Sequence, residues 1–194
     1  MMFEDYNRLV LFDTETSGLS PENSEILEIG MVVLTKPKGK SKFEKRQDIN
    51  VLIKNNKPIL NSHIHHITDT MCQKRGISKE ELFSLLHPLF GDYKDTLLVA
   101  YNLPFDIKFI KSFMNQIKEG YEVKNPTLDL LEVAKDRTGL YKGNKLCDMI
   151  VRYEVKDVQN NHRALDDTIA MLEVMRAMFK EKPNLDMYIK EERR

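Results

Sequence analysis

Residues 9–19 read LVLFDTETSGL, and the fold turns on how this stretch is taken. Leu9, Val10, Leu11 and Phe12 form a short continuous apolar run, the pattern of a strand buried on both faces. The run stops at Asp13, so the acidic triplet Asp13-Thr14-Glu15 is expected to terminate the strand. In extended chain, side chains at i and i+2 point to one side, so Asp13 and Glu15 are expected to face one cleft.

Working outward, Ile26 to Leu34 is a second apolar run, interrupted only by Glu28 and Gly30. Turn chemistry follows at Lys36-Pro37-Lys38-Gly39-Lys40, and Asp48 to Ile53 reads as a third strand. Strands joined this closely form an antiparallel meander, because parallel neighbours need a long crossover. The period then changes. Residues 61–74 read as short helical pieces, and Ser78 to Phe90 as a helix opened by the capping box Ser78-Lys79-Glu80-Glu81. Thr96 to Tyr101 is another strand, followed by a helix with Phe105, Phe109, Ile110, Phe113 and Ile117 on one face. Thr127-Leu128 is a brief last strand. Helices are expected through Leu131 to Ala134, over Lys145 to Tyr153 and over Arg163 to Phe179. This order predicts an α/β protein with a mixed five-stranded sheet, an antiparallel meander plus parallel strands, flanked by helices. Residues 1–182 are expected to form a single domain and residues 183–194 a short, charged, mobile tail.

Bulk properties narrow the function classes. Basic and acidic side chains balance at 30 each over 194 residues. Proteins that grip long duplexes by counterion release are usually clearly positive, so any nucleic-acid contact here is expected to be local, at a strand end inside a cleft. The densest positive stretch, Lys36 to Arg46, is either a solvated hairpin tip or a phosphate-guiding arm. No apolar run approaches the roughly 20 residues that span a bilayer, and Met1 to Asp13 lacks a signal-peptide layout. Cys72 and Cys147 form no Cys-x-x-Cys pair. A reducing, cytoplasmic setting without membrane contact is therefore expected.

Acidic side chains recur at strand ends and helix starts: Asp13 and Glu15, Asp106 early in its helix, and Asp166 with Asp167 early in the last. Singly each is weak, since an acid in a first helical turn is favoured by the helix dipole. Gathered without an Arg or Lys, they would repel and raise one another's pKa, a penalty that a divalent cation removes. Hard oxygen ligands suit Mg2+ or Mn2+. The cluster His63, His65, His66 lacks the second ligand group that zinc needs. Helical periodicity does not choose between Asp166 and Asp167.

Three ordered motifs carry a resemblance across roughly residues 8 to 180. Residues 12–19, FDTETSGL, look like the first motif of the DEDDh (DnaQ-like) exonucleases, the family of the proofreading subunit of bacterial replicative DNA polymerase. Residues 100–106, AYNLPFD, resemble the second motif, and residues 162–167, HRALDD, match the third, His-x-Ala-x-x-Asp. Residues 64–68, IHHIT, resemble the family's His-Gly-Ile-Thr turn, with His66 in place of Gly, and residues 129–135, DLLEVAK, its Asp-Thr-Leu helix. Tyr101 stands where the family often has His, and Leu103 where it often has Ala.

The resemblance implies a ribonuclease-H-like fold and a 3′-5′ exonuclease releasing nucleoside 5′-monophosphates. It selects Asp167 over Asp166, so that Asp13, Glu15, Asp106 and Asp167 hold two Mg2+ (or Mn2+) ions and His162 is the general base. Thr14, Thr16, Leu19, His65, Tyr101 and Asn102 are the implied substrate contacts, with Leu19 wedging between terminal bases and the Thr14 and Thr16 amides holding the last nucleotide. Residues five apart on a helix point about 140° apart, so His162 must precede the helix to face Asp167. Asn160 and Asn161 are expected to form that loop and offer a cap. The implied partner is the 3′ end of single-stranded nucleic acid, DNA before RNA. A DNA polymerase or a sliding clamp is a further implied partner, the latter through residues 184–188, NLDMY. An exoribonuclease or a non-catalytic binding scaffold are the alternative readings.

Overall fold

The computed structural model describes residues 3–191, apart from the Lys45 side chain. Five strands form one sheet in the order β3-β2-β1-β4-β5: β1 Arg8–Thr16, β2 Ile26–Thr35, β3 Lys45–Leu52, β4 Thr96–Ala100 and β5 Thr127–Asp129. β1, β2 and β3 pair antiparallel as a meander, while β4 and β5 add in parallel beside β1. Among the described residues seven α-helices lie between and after the strands: α1 Ser62–His65, α2 Asp69–Arg75, α3 Lys79–Leu86, α4 Leu103–Ile117, α5 Leu130–Thr138, α6 Leu146–Arg152 and α7 Ala164–Glu181. None is long and apolar enough to cross a membrane.

Alternation along β1 sorts the core into two layers. Leu9 and Leu11 pack with Val133, Met149, Met171, Leu172 and Met175, the layer of α5, α6 and α7. Val10 and Phe12 pack with Leu82, Leu86, Phe109, Ile110 and Phe113, the layer of α3 and α4. A smaller cluster of Leu27, Leu52, Ile59, Ile67 and Cys72 lies under α1 and α2. The Ser78 and Glu81 capping box opens α3 as expected. His66 sits at φ 59, the left-handed conformation in which the family's turn has Gly.

Several boundaries differ from expectation. β1 does not stop at Asp13 but runs on to Thr16, because β2 continues to pair with it: Asp13 faces Gly30 and Glu15 faces Glu28. β4, by contrast, pairs with β1 only as far as Leu11 and Val99. The last five residues of β1, Phe12 to Thr16, therefore have no β4 partner, and that overhang creates the site. The third strand starts earlier than expected, at Lys45, where it pairs with Thr35.

The basic stretch belongs to a hairpin tip at the far end of the sheet. Thr35 pairs with Arg8, roughly 17 Å of strand from Asp13 at about 3.3 Å per residue. Lys36 is moreover buried, its ammonium donating to the Phe3 and Glu4 carbonyls at 2.8 Å each. The stretch thus takes the hairpin-tip reading, away from the acidic residues of β1. The tail also departs from expectation: Leu185 is fully buried, Leu185–Tyr188 forms a 3-10 turn, and Lys190 bridges Thr127. Tyr188 bonds to Asp136 and Lys190 to Glu132, so residues 183–191 dock instead of hanging free. With Leu185 in the core, the clamp-like segment 184–188 exposes Met187 but not its leucine.

Candidate active site

The overhang of β1 sets the directions of its side chains. Asp13 and Glu15 continue the Leu9 and Leu11 face, toward α7, while Thr14 continues the Val10 and Phe12 face, toward α4. Because β4 has ended, the Thr14 amide finds another acceptor: it donates to Asp106 Oδ1 at 3.0 Å, and the Thr14 hydroxyl donates to the same oxygen at 2.6 Å. Asp106, in the first turn of α4, is locked against β1 in this way. The Thr14 amide, expected to hold a nucleotide, is thereby committed to the protein itself. Asn102 opens α4 at φ 66, and its N–H donates to Asp129 Oδ1 at 2.9 Å, the oxygen that also accepts from Leu131 at the start of α5.

From the other layer, α7 delivers Asp167 by resting its first turn directly on β2. A side chain on Gly30 would meet the Ala164 backbone at 2.2 Å, so only glycine permits this approach. Glu28, fully buried on β2, accepts from Arg163 Nη2 at 2.6 Å, from Arg163 Nε at 3.1 Å and from the Ala164 amide at 3.1 Å. This bidentate clamp fixes the residue between His162 and the helix. The expected cap by Asn160 or Asn161 is not formed: Arg163 is the N-cap and makes no side-chain cap bond, since Glu28 already satisfies the first amide. His162 precedes the helix, exposed, at φ 58, an uncommon conformation for a residue with a side chain.

A cleft of about 430 Å3 brings together Asp13, Thr14, Glu15, Tyr101, Asn102, Phe105, Asp106, His162 and Asp167, with Lys145, Cys147 and Asn160 on its wall. Burial raises the carboxyl pKa of Asp13 well above the ordinary range, and Asp106, Glu15 and Asp167 push it further. Burial, then Asp167 and Glu28, push Glu15 up to about 8. Asp106 rises to about 7 through burial, opposed by its bonds from Thr14. Asp167 is raised by burial and relieved by Asn160, His162 and Asn161. Arg163 lowers the Glu15 pKa, but its guanidinium is already engaged by Glu28.

A divalent cation fits this set. Asp167 Oδ1 is buried without a hydrogen-bond partner, an oxygen in want of a positive charge. Ligand atoms of Glu15, His162 and Asp167 lie within 4.8 Å of one another. Asp13 and Asp106 share the cleft without joining that tighter group among the described residues.

Three expected substrate contacts lie outside the cleft lining. The Thr16 hydroxyl donates to the Gly18 carbonyl at 2.7 Å. Leu19 is 80% exposed, and its carbonyl accepts from Lys108 at 2.7 Å. His65 is buried, its Nδ1 accepting from the Ile67 amide at 3.1 Å while Nε2 has no partner. Phe105 lines the cleft and also packs on Phe109. Glu28, Gly30 and Arg163 were not anticipated as site residues. A charge and a glycine inside an otherwise apolar strand were their only signal.

Sheet order and the carboxylates gathered where β1 outruns β4 define a ribonuclease-H-like fold with an acidic cleft. A model of the RNase_T family, described as exonuclease, matches residues 10–175. Over 181 residues the chain is 32% identical to a PolC-type DNA polymerase III of Clostridium perfringens, covering 92% of this chain and 12% of that protein. In structure it resembles E. coli exonuclease I in complex with a dT13 oligonucleotide, with a TM-score of 0.74 and 16% identity over 94% of this chain and 43% of that one. A 3′-exonuclease that recognises the histone mRNA stem-loop gives 0.66 and 16% over 95% of this chain and 68% of that one. The chain belongs to the exonuclease family, in the DEDDh (DnaQ-like) group that its motifs resemble.

Proposed function

We propose that this domain hydrolyses the last phosphodiester bond at the 3′ end of single-stranded DNA and releases nucleoside 5′-monophosphates. The observation that carries the reading is one cleft lined by Asp13, Glu15, Asp106 and Asp167, with Asp167 Oδ1 buried and unpartnered. These carboxylates would hold two Mg2+ or Mn2+ ions, which supply charge neutralisation and Lewis acidity for in-line displacement at phosphorus. His162 takes a proton from the attacking water at an imidazole nitrogen, as a general base. The water oxygen bonds to phosphorus as the bond to the leaving 3′ oxygen breaks, and that oxygen gains a proton as the shortened strand departs. Thr14 keeps Asp106 in place, and Glu28 keeps the His162 segment seated through Arg163.

DNA is favoured over RNA because the 32% identical relative is named as a DNA polymerase, which also makes a polymerase a fitting partner. Free Cys72 and Cys147 suit a reducing, cytoplasmic compartment. End-labelled single-stranded DNA and RNA of one sequence, each with Mg2+, Mn2+ or EDTA, test the proposal. Metal-dependent laddering of 5′-labelled DNA from its 3′ end is expected. Faster laddering of RNA would reverse the sugar preference, and tight binding without cleavage would favour a scaffold.

A further inference from the structure

Beside the carboxylate cleft lies a second hollow of about 510 Å3, and the two share Tyr101, Asn102, Lys145 and Leu146 in their walls. Its outer wall is the loop between α5 and α6. Asn144, buried within that loop, accepts from the Thr138 hydroxyl at 2.6 Å and donates to the Leu140 carbonyl at 2.8 Å. Its own carbonyl accepts from the Tyr101 hydroxyl, tying the loop to the end of β4. Gly139 and Gly143 take positive φ on either side, which lets so short a loop double back.

What this pinned loop presents is an aromatic ring: Tyr141 is 90% exposed. An exposed tyrosine alone needs no explanation. Here it stands on a loop held by buried hydrogen bonds, in a hollow continuous with the reaction cleft. Lys135 and Lys142 line the same hollow with Lys145 at the junction, and no carboxylate is among the described residues that line it. Positive charge interleaved with an aromatic face is the chemistry that tracks a single strand without reading its sequence.

We propose that this hollow carries the nucleotides just 5′ of the scissile bond, with Tyr141 stacked on a base and Lys135, Lys142 and Lys145 against backbone phosphates. The inference rests on the reading of the cleft as a 3′-end site: a strand whose 3′ end lies among the carboxylates can leave through the shared wall only in its 5′ direction. Placing the cations there also reconciles strand binding with a net charge of zero.

Tyr141→Ala, Tyr141→Phe and Lys142→Ala are compared with the parent on two substrates: a strand of about twelve thymidylates, long enough to fill such a track, and the p-nitrophenyl ester of thymidine 5′-phosphate, which reaches only the cleft. Anisotropy of the fluorescent strand in EDTA reads binding without cleavage. Tyr141→Ala is expected to raise KM for the strand, and its Kd in EDTA, about tenfold, while ester hydrolysis is unchanged and Tyr141→Phe behaves as the parent. Lys142→Ala is expected to reduce the salt slope of strand binding by about 0.7. Strand KM and Kd within twofold of the parent in Tyr141→Ala would overturn the proposal, as would an equal loss on the ester. A parent that hydrolyses neither substrate but still binds the strand through Tyr141 would instead overturn the catalytic reading and leave the track standing.

Discussion

At the scale of single residues, the proposed chemistry rests on His162 and the carboxylates. His162→Ala is expected to lower kcat about 10²–10⁴-fold with the fold intact, as read by strand hydrolysis and circular dichroism; turnover equal to the parent would remove the general-base role. The carboxylates also impose a pH dependence of known sign. Glu15 moves from an ordinary 4.5 to about 8 on folding, and Asp106 from 3.8 to about 7. Raised acid pKa values mean that the folded chain holds more protons than the unfolded chain between these limits, so stability falls as pH rises through that window. In EDTA, Tm is therefore expected to drop between pH 4.5 and 8, and Mn2+ to restore progressively more of it toward pH 8. An equal Mn2+ effect at both ends would contradict the cluster's electrostatics. That Asp13, Glu15 and Asp106 share one cleft was expected from their places at strand ends and a helix start, whereas singling out His162, and Asp167 over Asp166, needed the family's third motif. The engagement of the Thr14 amide by Asp106 was not legible, because it depends on β4 ending before β1, a pairing fact that neither strand's own residues encode.

At the scale of elements, the contact of α7 with β2 decides whether Asp167 and His162 meet the β1 acids. Gly30→Ala puts a methyl group into the Ala164 backbone. It is expected to cost about 3 kcal/mol in urea unfolding and to lower kcat as α7 is pushed away; parental stability and rate would show that the helix is free to shift. Element types and order could be read from apolar periodicity, since β1, β2 and β4 are buried runs and α4 carries a regular apolar stripe. Their ends could not. β1 is prolonged through polar residues by pairing with β2, and α3 ends at Leu86, short of the apolar Leu89 and Phe90 that had suggested a longer helix. Glu28 was passed over because a charge in an apolar strand is informative only once its partner is known, and Arg163 lies 135 residues away.

For the molecule as a whole, one sheet separates two apolar layers and its overhanging central strand receives a carboxylate from each side: Asp167 from the α7 layer and Asp106 from the α4 layer. The docked C-terminal segment closes the far side of α5. Leu185→Ala is expected to cost about 2–4 kcal/mol, measured by urea unfolding; a change below about 0.5 kcal/mol, as at a surface position, would mean that the segment is not part of the cooperative unit. Its charged composition hid this docking, because a single buried leucine among Asn, Asp and Lys leaves no periodic pattern to read. The central claim is that the acidic cleft is a divalent-cation site. Crystals soaked in Mn2+ with a nucleoside 5′-monophosphate, examined by anomalous scattering, test it most directly. Two peaks are expected among Asp13, Glu15, Asp106 and Asp167, at least one of them lost in Asp167→Asn; an empty cleft with Mn2+ bound elsewhere on the chain would contradict it.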